Sequence, residues 1–215
     1  MFGPVGYRNY LRVVARQPKP DDSQEVFDTW ARDVLKAHGD FQLLCALRRG
    51  PWGVEGLNQR IADLLHGEGL IPSANGWFLG RPVLVTRNDY GLGLMNGDIG
   101  ITLSLPQTVD GVTKLVPRVA FPAGDGTQGI RWILPSRLQA VETVFAMTVH
   151  KSQGSEFTHA ALLLPDSLNP ILTRELVYTG ITRARQWFTL ASSGGRVLEP
   201  AIERRVQRAS GLLEG

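Results

Sequence analysis

Two blocks in which short apolar runs alternate with helical stripes, 41–67 and 141–208, enclose a stretch, 69–138, with no helical stripe at all. Few folds are open to such a chain. Continuous apolar runs alternating with amphipathic helices call for a mostly parallel sheet covered on both faces. The stretch between them, punctuated by glycine and proline, must leave that sheet and build an antiparallel module of its own. The sequence is therefore read as α/β, interrupted by an inserted β-rich module over 81–139.

The first block opens with a run over 41–47 and ends in Arg48-Arg49-Gly50-Pro51. Val54, Leu57, Ile61, Leu64 and Leu65 then form one helical face that stops at Gly67. Strand, basic turn and helix make a βα unit. In the second block, strands are expected at 143–149, 160–164 and 188–191. A helix capped by Thr173 is expected to run to about Arg185, with Glu175 in its first turn, and a final helix spans 197–208 with Arg204, Arg205 and Arg208. Ahead of both blocks, residues 1–40 read as two helices. Tyr7, Tyr10, Leu11 and Val14 mark the first, and Val26, Phe27, Trp30, Val34 and Leu35 the second. They are expected to pack on the α/β domain (41–80 plus 140–215) without chemistry of their own.

In the insertion, apolar β-rich runs fall at 82–86, 99–105, 115–121 and 130–134. Asn96-Gly97 and Gly97-Asp98 are hairpin signals, and the module is read as a small barrel. Arg81, Arg87, Arg118, Arg131 and Arg137, with Tyr90 and Trp132 among them, offer a basic surface with stacking groups for single-stranded nucleic acid.

Several chemistries are excluded. A nucleoside-triphosphate loop ends in Gly-Lys-Ser/Thr, and none of the four lysines (Lys19, Lys36, Lys114, Lys151) follows a glycine. No acidic pair ends a strand to hold magnesium, no Cys/His cluster has zinc spacing, and no G-x-S-x-G elbow is present. The chain is expected to hydrolyse nothing by itself. Its one cysteine, Cys45, its lack of a membrane-length apolar run and its lack of a leader pattern read as a cytoplasmic, reducing location.

The densest chemistry lies in Val149-His150-Lys151-Ser152-Gln153-Gly154-Ser155-Glu156-Phe157. Thr148, His150 and Ser152 alternate and face one way if the strand persists. Gly154 lets a ligand approach the main chain, and Glu156 can accept from a ribose hydroxyl. On the helix from Thr173, Arg183 lies about twenty degrees from Leu176 at ~100° per residue, bordering the buried face with no acid at i±4. Such an arginine can reach across a cleft to a phosphate. Arg48 ends a strand at the edge where open α/β sheets hold ligands.

These strings resemble a known family. A-M-T-V-H-K-S-Q-G-S-E-F resembles motif V, L-V-Y-T-G-I-T-R-A-R motif VI and L-L-C-A-L-R-R-G-P-W-G-V-E-G-L-N motif IV of the superfamily 1 helicases that move 5′ to 3′. P-V-L-V-T-R-N-D-Y-G-L-G-L-M-N-G-D-I-G resembles the entry to the inserted barrel of the RecD-like branch. The resemblance implies a second RecA-like motor domain with an SH3-like insertion, supplying half of an ATP-dependent DNA helicase. Arg48 and Arg183 would touch the terminal phosphate of ATP, with Gln153, Gly154 and Glu156 at the nucleotide. Thr148, His150, Lys151, Ser152, Asn88 and Asn96 would line the DNA. ATP and Mg2+ are the implied cofactors, with the Mg2+ ligands on a first RecA-like domain that this chain lacks. Single-stranded DNA, or double-stranded DNA being unwound, and RecB- and RecC-like subunits of a repair and recombination exodeoxyribonuclease V are the implied partners, with no membrane. Two alternatives stand beside this: a non-catalytic module binding single-stranded DNA or a partner protein, and part of a free-standing RecD-like or relaxase-type helicase.

Overall fold

The computed structural model describes residues 3–124, 126–192 and 196–205. Two helices come first, α1 (Tyr7–Val14) and α2 (Gln24–Gly39). Phe27, Trp30, Ala31, Val34 and His38 form the buried stripe of α2. The Trp30 indole donates to Val13 O at 2.8 Å, which ties the two helices together.

Strand β1 (Phe41–Cys45) leads into α3 (Val54–Gly67). The turn between them is tight enough to require glycine. A Cβ on Gly53 would lie 2.4 Å from Arg49 O, and one on Gly56 2.5 Å from Gly50 O. The chain then builds β2 (Pro82–Val85), β3 (Ile99–Val109), β4 (Val112–Pro122), β5 (Ile130–Ile133) and β6 (Val141–Thr143). These five strands form one antiparallel sheet in the order β5-β4-β3-β2-β6. The expected antiparallel module is present. Its order is that of an open sheet with β5 and β6 as edges, and β6 comes from residues assigned to the α/β block.

Strands β7 (Ala146–Thr148), β8 (Phe157–Leu164) and β9 (Ala184–Ser192) join β1 in a wholly parallel sheet, order β7-β1-β8-β9. Helix α4 (Arg174–Ile181) crosses from β8 to β9, and α5 (Leu198–Glu203) follows. Gly180 sets the closeness of α4 to the sheet, since a Cβ there would lie 3.1 Å from Leu162 Cδ2.

Three expectations are corrected. The run at 143–149 is not one strand: it ends β6 in one sheet and starts β7 in the other. Thr143 pairs with Val83 of the antiparallel sheet and Ala146 with Leu43 of the parallel sheet, and the two buried residues between them, Val144 and Phe145, carry the chain from one sheet to the other. The Phe145 carbonyl accepts from the Tyr7 hydroxyl at 2.7 Å and the Gln42 amide at 3.0 Å. Second, α4 stops at Ile181, not near Arg185. The Thr179 and Thr182 hydroxyls donate back to Glu175 O and Thr179 O, and Arg183 O accepts from Phe157 N–H at 2.8 Å, so the chain turns into β9 at once. Third, the last helix ends at Glu203; Arg204 and Arg205 follow it, and Arg208 lies outside the described residues.

Helices α1 and α2 share their core with Ile101, Leu103 and Ala120 of the antiparallel sheet as well as with Phe145. The Trp132 indole donates to Asp28 on α2 at 2.7 Å. No helix among the described residues is long and apolar enough to cross a membrane.

Candidate nucleotide and nucleic-acid interface

Parallel register places the two ends of this sheet far apart. Phe157 opens β8, while Leu163 pairs with Cys45 at the far end of β1. At about 3.3 Å per residue the separation is roughly 20 Å. The segment 149–156 leaves the carboxyl end of β7, makes a 3-10 turn over His150–Ser152 and returns to the amino end of β8. This one loop therefore visits both ends of the sheet.

At the amino end, Gly154 takes φ +84, a left-handed conformation that suits glycine. Arg183 is half-buried. Its guanidinium donates to Ser155 O at 3.1 Å, to Thr179 O at 3.2 Å and to the Thr182 hydroxyl at 3.3 Å. Carbonyl and hydroxyl oxygens orient the group without cancelling its charge, and among the described residues it makes no ion pair. Arg185 donates to Glu156 Oε2 at 3.0 Å beside it, and both of these side chains are exposed. Arg185 was not anticipated; the second arginine of Thr-Arg-Ala-Arg becomes informative only once Ala184 starts a strand.

A cavity of about 510 Å³ opens between the loop and α4, with His150, Gln153, Thr173, Leu176 and Thr179 in its walls. Gln153 is exposed here, and Thr179 is the residue whose carbonyl Arg183 holds. Val149, Ile171 and Glu175 also line it, while Gly154 and Arg183 lie outside its walls.

At the carboxyl end, a hydrogen-bonded chain links the loop to the insertion. Lys151 N–H donates to the Thr148 hydroxyl at 3.2 Å, and Lys151 Nζ donates to Asn96 Oδ1 at 2.9 Å. Asn96 N–H donates to Asn88 Oδ1 at 2.8 Å, and Asn88 Nδ2 donates to the Tyr90 hydroxyl at 3.2 Å. Asn88 and Asn96 are thus brought against Thr148 and Lys151 of the parallel sheet. His150 is exposed alongside.

Other candidate residues are held by partners within the chain. Arg48 follows the carboxyl end of β1 and pairs with Glu142 at 2.9 Å, so the structure does not bring it to Arg183 at the amino end. Ser152 is fully buried and its hydroxyl donates to Val149 O at 2.7 Å; it holds the turn and is not presented to DNA. The arginines expected on a basic surface differ in how they are held. Arg81 lies over the Trp77 ring and donates to Gly76 O and the Thr143 hydroxyl. Arg131 donates to Gly93 O and Ala123 O, and Arg118 to Pro117 O and the Gln107 amide oxygen. Trp132 packs with the core. Arg87, Arg137 and Tyr90 remain exposed. No group of three or more His, Cys, Asp or Glu gathers to hold a metal among the described residues.

Residues 143–191, which contain the loop, α4 and nearly all of β9, match the UvrD-like helicase C-terminal domain. Over those residues the chain is similar to a helicase C-terminal domain. Curated relatives narrow it. The RecBCD enzyme subunit RecD of Haemophilus influenzae is 36% identical over 96% of this chain, and that of Mycolicibacterium smegmatis 41% identical over 84%. An ATP-dependent RecD2 DNA helicase of Deinococcus radiodurans is 33% identical over 84% of this chain and 24% of its own length. This chain is homologous to a C-terminal portion of RecD, and it spans about 30% of the length of the two RecD relatives. Among solved structures, a Pif1 helicase from Candida albicans aligns with 88% of this chain and 53% of its own at 15% identity, with a TM-score of 0.42.

Proposed function

We propose that this chain is the C-terminal motor half of an ATP-dependent 5′-3′ DNA helicase of the RecD type, working with RecB- and RecC-like subunits in DNA repair and recombination. The observation that carries the reading is the loop 149–156, which joins an arginine-rich cluster at one end of the parallel sheet to a lysine–asparagine cluster at the other. Arg183 would meet the terminal phosphate, with Gln153, Gly154 and Glu156 at the nucleotide. Thr148, His150, Lys151, Asn88 and Asn96 would form the DNA end. Arg48 is assigned to that DNA end, away from the nucleotide. The antiparallel module would be the SH3-like insertion of the branch.

ATP, when bound, supplies the energy of phosphoryl transfer. Arg183 contributes a fixed positive charge where negative charge accumulates. The loop relays its position to Lys151 because one short, tethered segment cannot shift at Gly154 without bearing on the 3-10 turn. The phosphate-binding loop and the carboxylates for Mg2+ would come from a further RecA-like domain, so the chain alone is inactive in hydrolysis.

The test uses a protein in which this chain is joined to that domain. Arg183→Ala is expected to abolish DNA-stimulated ATP hydrolysis with little change in single-stranded DNA affinity. Lys151→Ala is expected to weaken DNA binding and lower its salt dependence. Equal loss of both activities in Arg183→Ala, or ATP hydrolysis by this chain alone, overturns the assignment.

A further inference from the structure

The turn over 88–98 carries an aromatic side chain that the packing does not explain. Tyr90 is 79% exposed, the most exposed large hydrophobic side chain among the described residues. Exposing a tyrosine ring to water forgoes its burial energy, and here the ring is also held. Leu94, 1% exposed, anchors the turn in the core of the antiparallel sheet. The Tyr90 hydroxyl accepts from Asn88, whose oxygen accepts from Asn96 N–H, whose own side chain accepts from Lys151.

The acids of the turn are half-buried and engaged with its backbone. Asp89 Oδ1 accepts from Leu92 N–H at 3.0 Å, and Asp98 Oδ2 from Met95 N–H at 2.8 Å. Arg87 is exposed next to Asn88. The surface thus presents a restrained ring face and cationic groups. Lys151 has three ammonium protons, of which Asn96 takes one.

We propose that Tyr90 is a base-stacking residue for single-stranded nucleic acid, and that Asn88 and Asn96 are positioning residues that fix its ring relative to Lys151. The inference rests on the DNA-binding reading above and sharpens it. Lys151 meets the phosphate backbone and Tyr90 takes one base face, so the contact depends on a base being present but not on which base. Asn88 belongs to the DNA end by holding the ring, its amide donating to the Tyr90 hydroxyl and its oxygen accepting from Asn96 N–H.

The experiment measures binding of this chain to an oligodeoxythymidylate of about fifteen nucleotides and to an abasic oligomer of equal length, by fluorescence anisotropy. Tyr90→Ala is expected to weaken thymidylate binding about fivefold or more while leaving the abasic oligomer unchanged. Tyr90→Phe, which keeps the ring and loses the hydroxyl, is expected to retain most of the preference for bases. Asn96→Ala frees both Lys151 and the ring and is expected to weaken both ligands. Thermal unfolding of each variant checks that the turn is intact. Unchanged thymidylate binding in Tyr90→Ala overturns the stacking role alone. Failure of the unmodified chain to bind either oligomer overturns the DNA-binding reading and the stacking role with it. Equal loss on both oligomers in Tyr90→Ala assigns the residue to holding the turn and refutes stacking.

Discussion

Asn58→Ala removes the side chain that supports the strand leading into the 149–156 loop. Asn58 lies on α3, is 7% exposed, and reaches the edge strand β7. Its Nδ2 donates to Ala146 O at 3.2 Å, and its Oδ1 accepts from Ala146 N–H at 2.9 Å. Ala146 is fully buried, and β7 has β1 on one side only. The amide side chain therefore stands in for a missing strand neighbour. Truncation leaves one buried backbone donor and one buried acceptor unmet, each costing about 1–3 kcal/mol. Water entering the vacated space recovers part of this, so the expected loss is about 2–4 kcal/mol. Urea unfolding followed by tryptophan fluorescence reads it as a lower midpoint at unchanged slope. Gln59→Ala, one residue along on the exposed side and bonded only to Asp63, is the control and is expected to stay within about 0.5 kcal/mol. Hydrogen exchange should show faster loss at the Ala146 amide than elsewhere in the sheet. An Asn58→Ala loss no larger than the control, or unchanged protection at Ala146, refutes the claim that this side chain completes the sheet edge.

Two further outcomes follow from buried titratable groups. Burial lowers the His38 pKa to about 4 from 6.5, against the edge of the Tyr10 ring. The unfolded state then binds more protons between these values, so stability is complete above pH 6.5 and falls as pH drops toward 4. Denaturation at pH 5 should show a deficit of about 2 kcal/mol relative to pH 7.5, and His38→Gln should remove most of it; the same pH dependence in that variant counts against His38. Burial raises the Cys45 thiol to about 12, a shift partly opposed by the Leu47 backbone. A thiol-exchange reagent at pH 8 should leave Cys45 intact in the folded chain and label it fully in denaturant; rapid labelling of the folded protein would contradict this burial.

Much of the architecture was legible because it is written locally. The continuous run at 41–45, the apolar stripe from Val54 to Leu65 and the glycine-marked turn between them define a βα unit without outside information. The absence of any helical stripe over 69–138 required an antiparallel module, and one is present. The polar string at 148–156 marked the loop that joins the two ends of the parallel sheet. Misplaced features all depended on distant partners. The 143–149 run looks like one strand because each residue suits a strand; that it divides between two sheets is set by the pairing of Thr143 with Val83 and of Ala146 with Leu43. The helix stripe from Leu176 continues on paper through Arg183, but pairing of 184–192 with β8 ends it at Ile181.

The same division holds for the candidate site. Residue types and spacing alone nominated the side chains proposed to carry the chemistry: an arginine after the α4 segment, a lysine and glycine in the loop, and two asparagines between the two α/β blocks. Only the tertiary structure decided which of them meet. Parallel register puts Arg48 and Arg183 at opposite ends of one sheet, although each reads equally well as a phosphate ligand. It also brings Lys151 within hydrogen-bonding distance of Asn96, from which 54 intervening residues separate it. Periodicity reports the face a residue occupies along its own element. The end of the sheet where it emerges depends on strand order and crossing direction, and these are fixed by pairing and core packing between segments far apart in the chain.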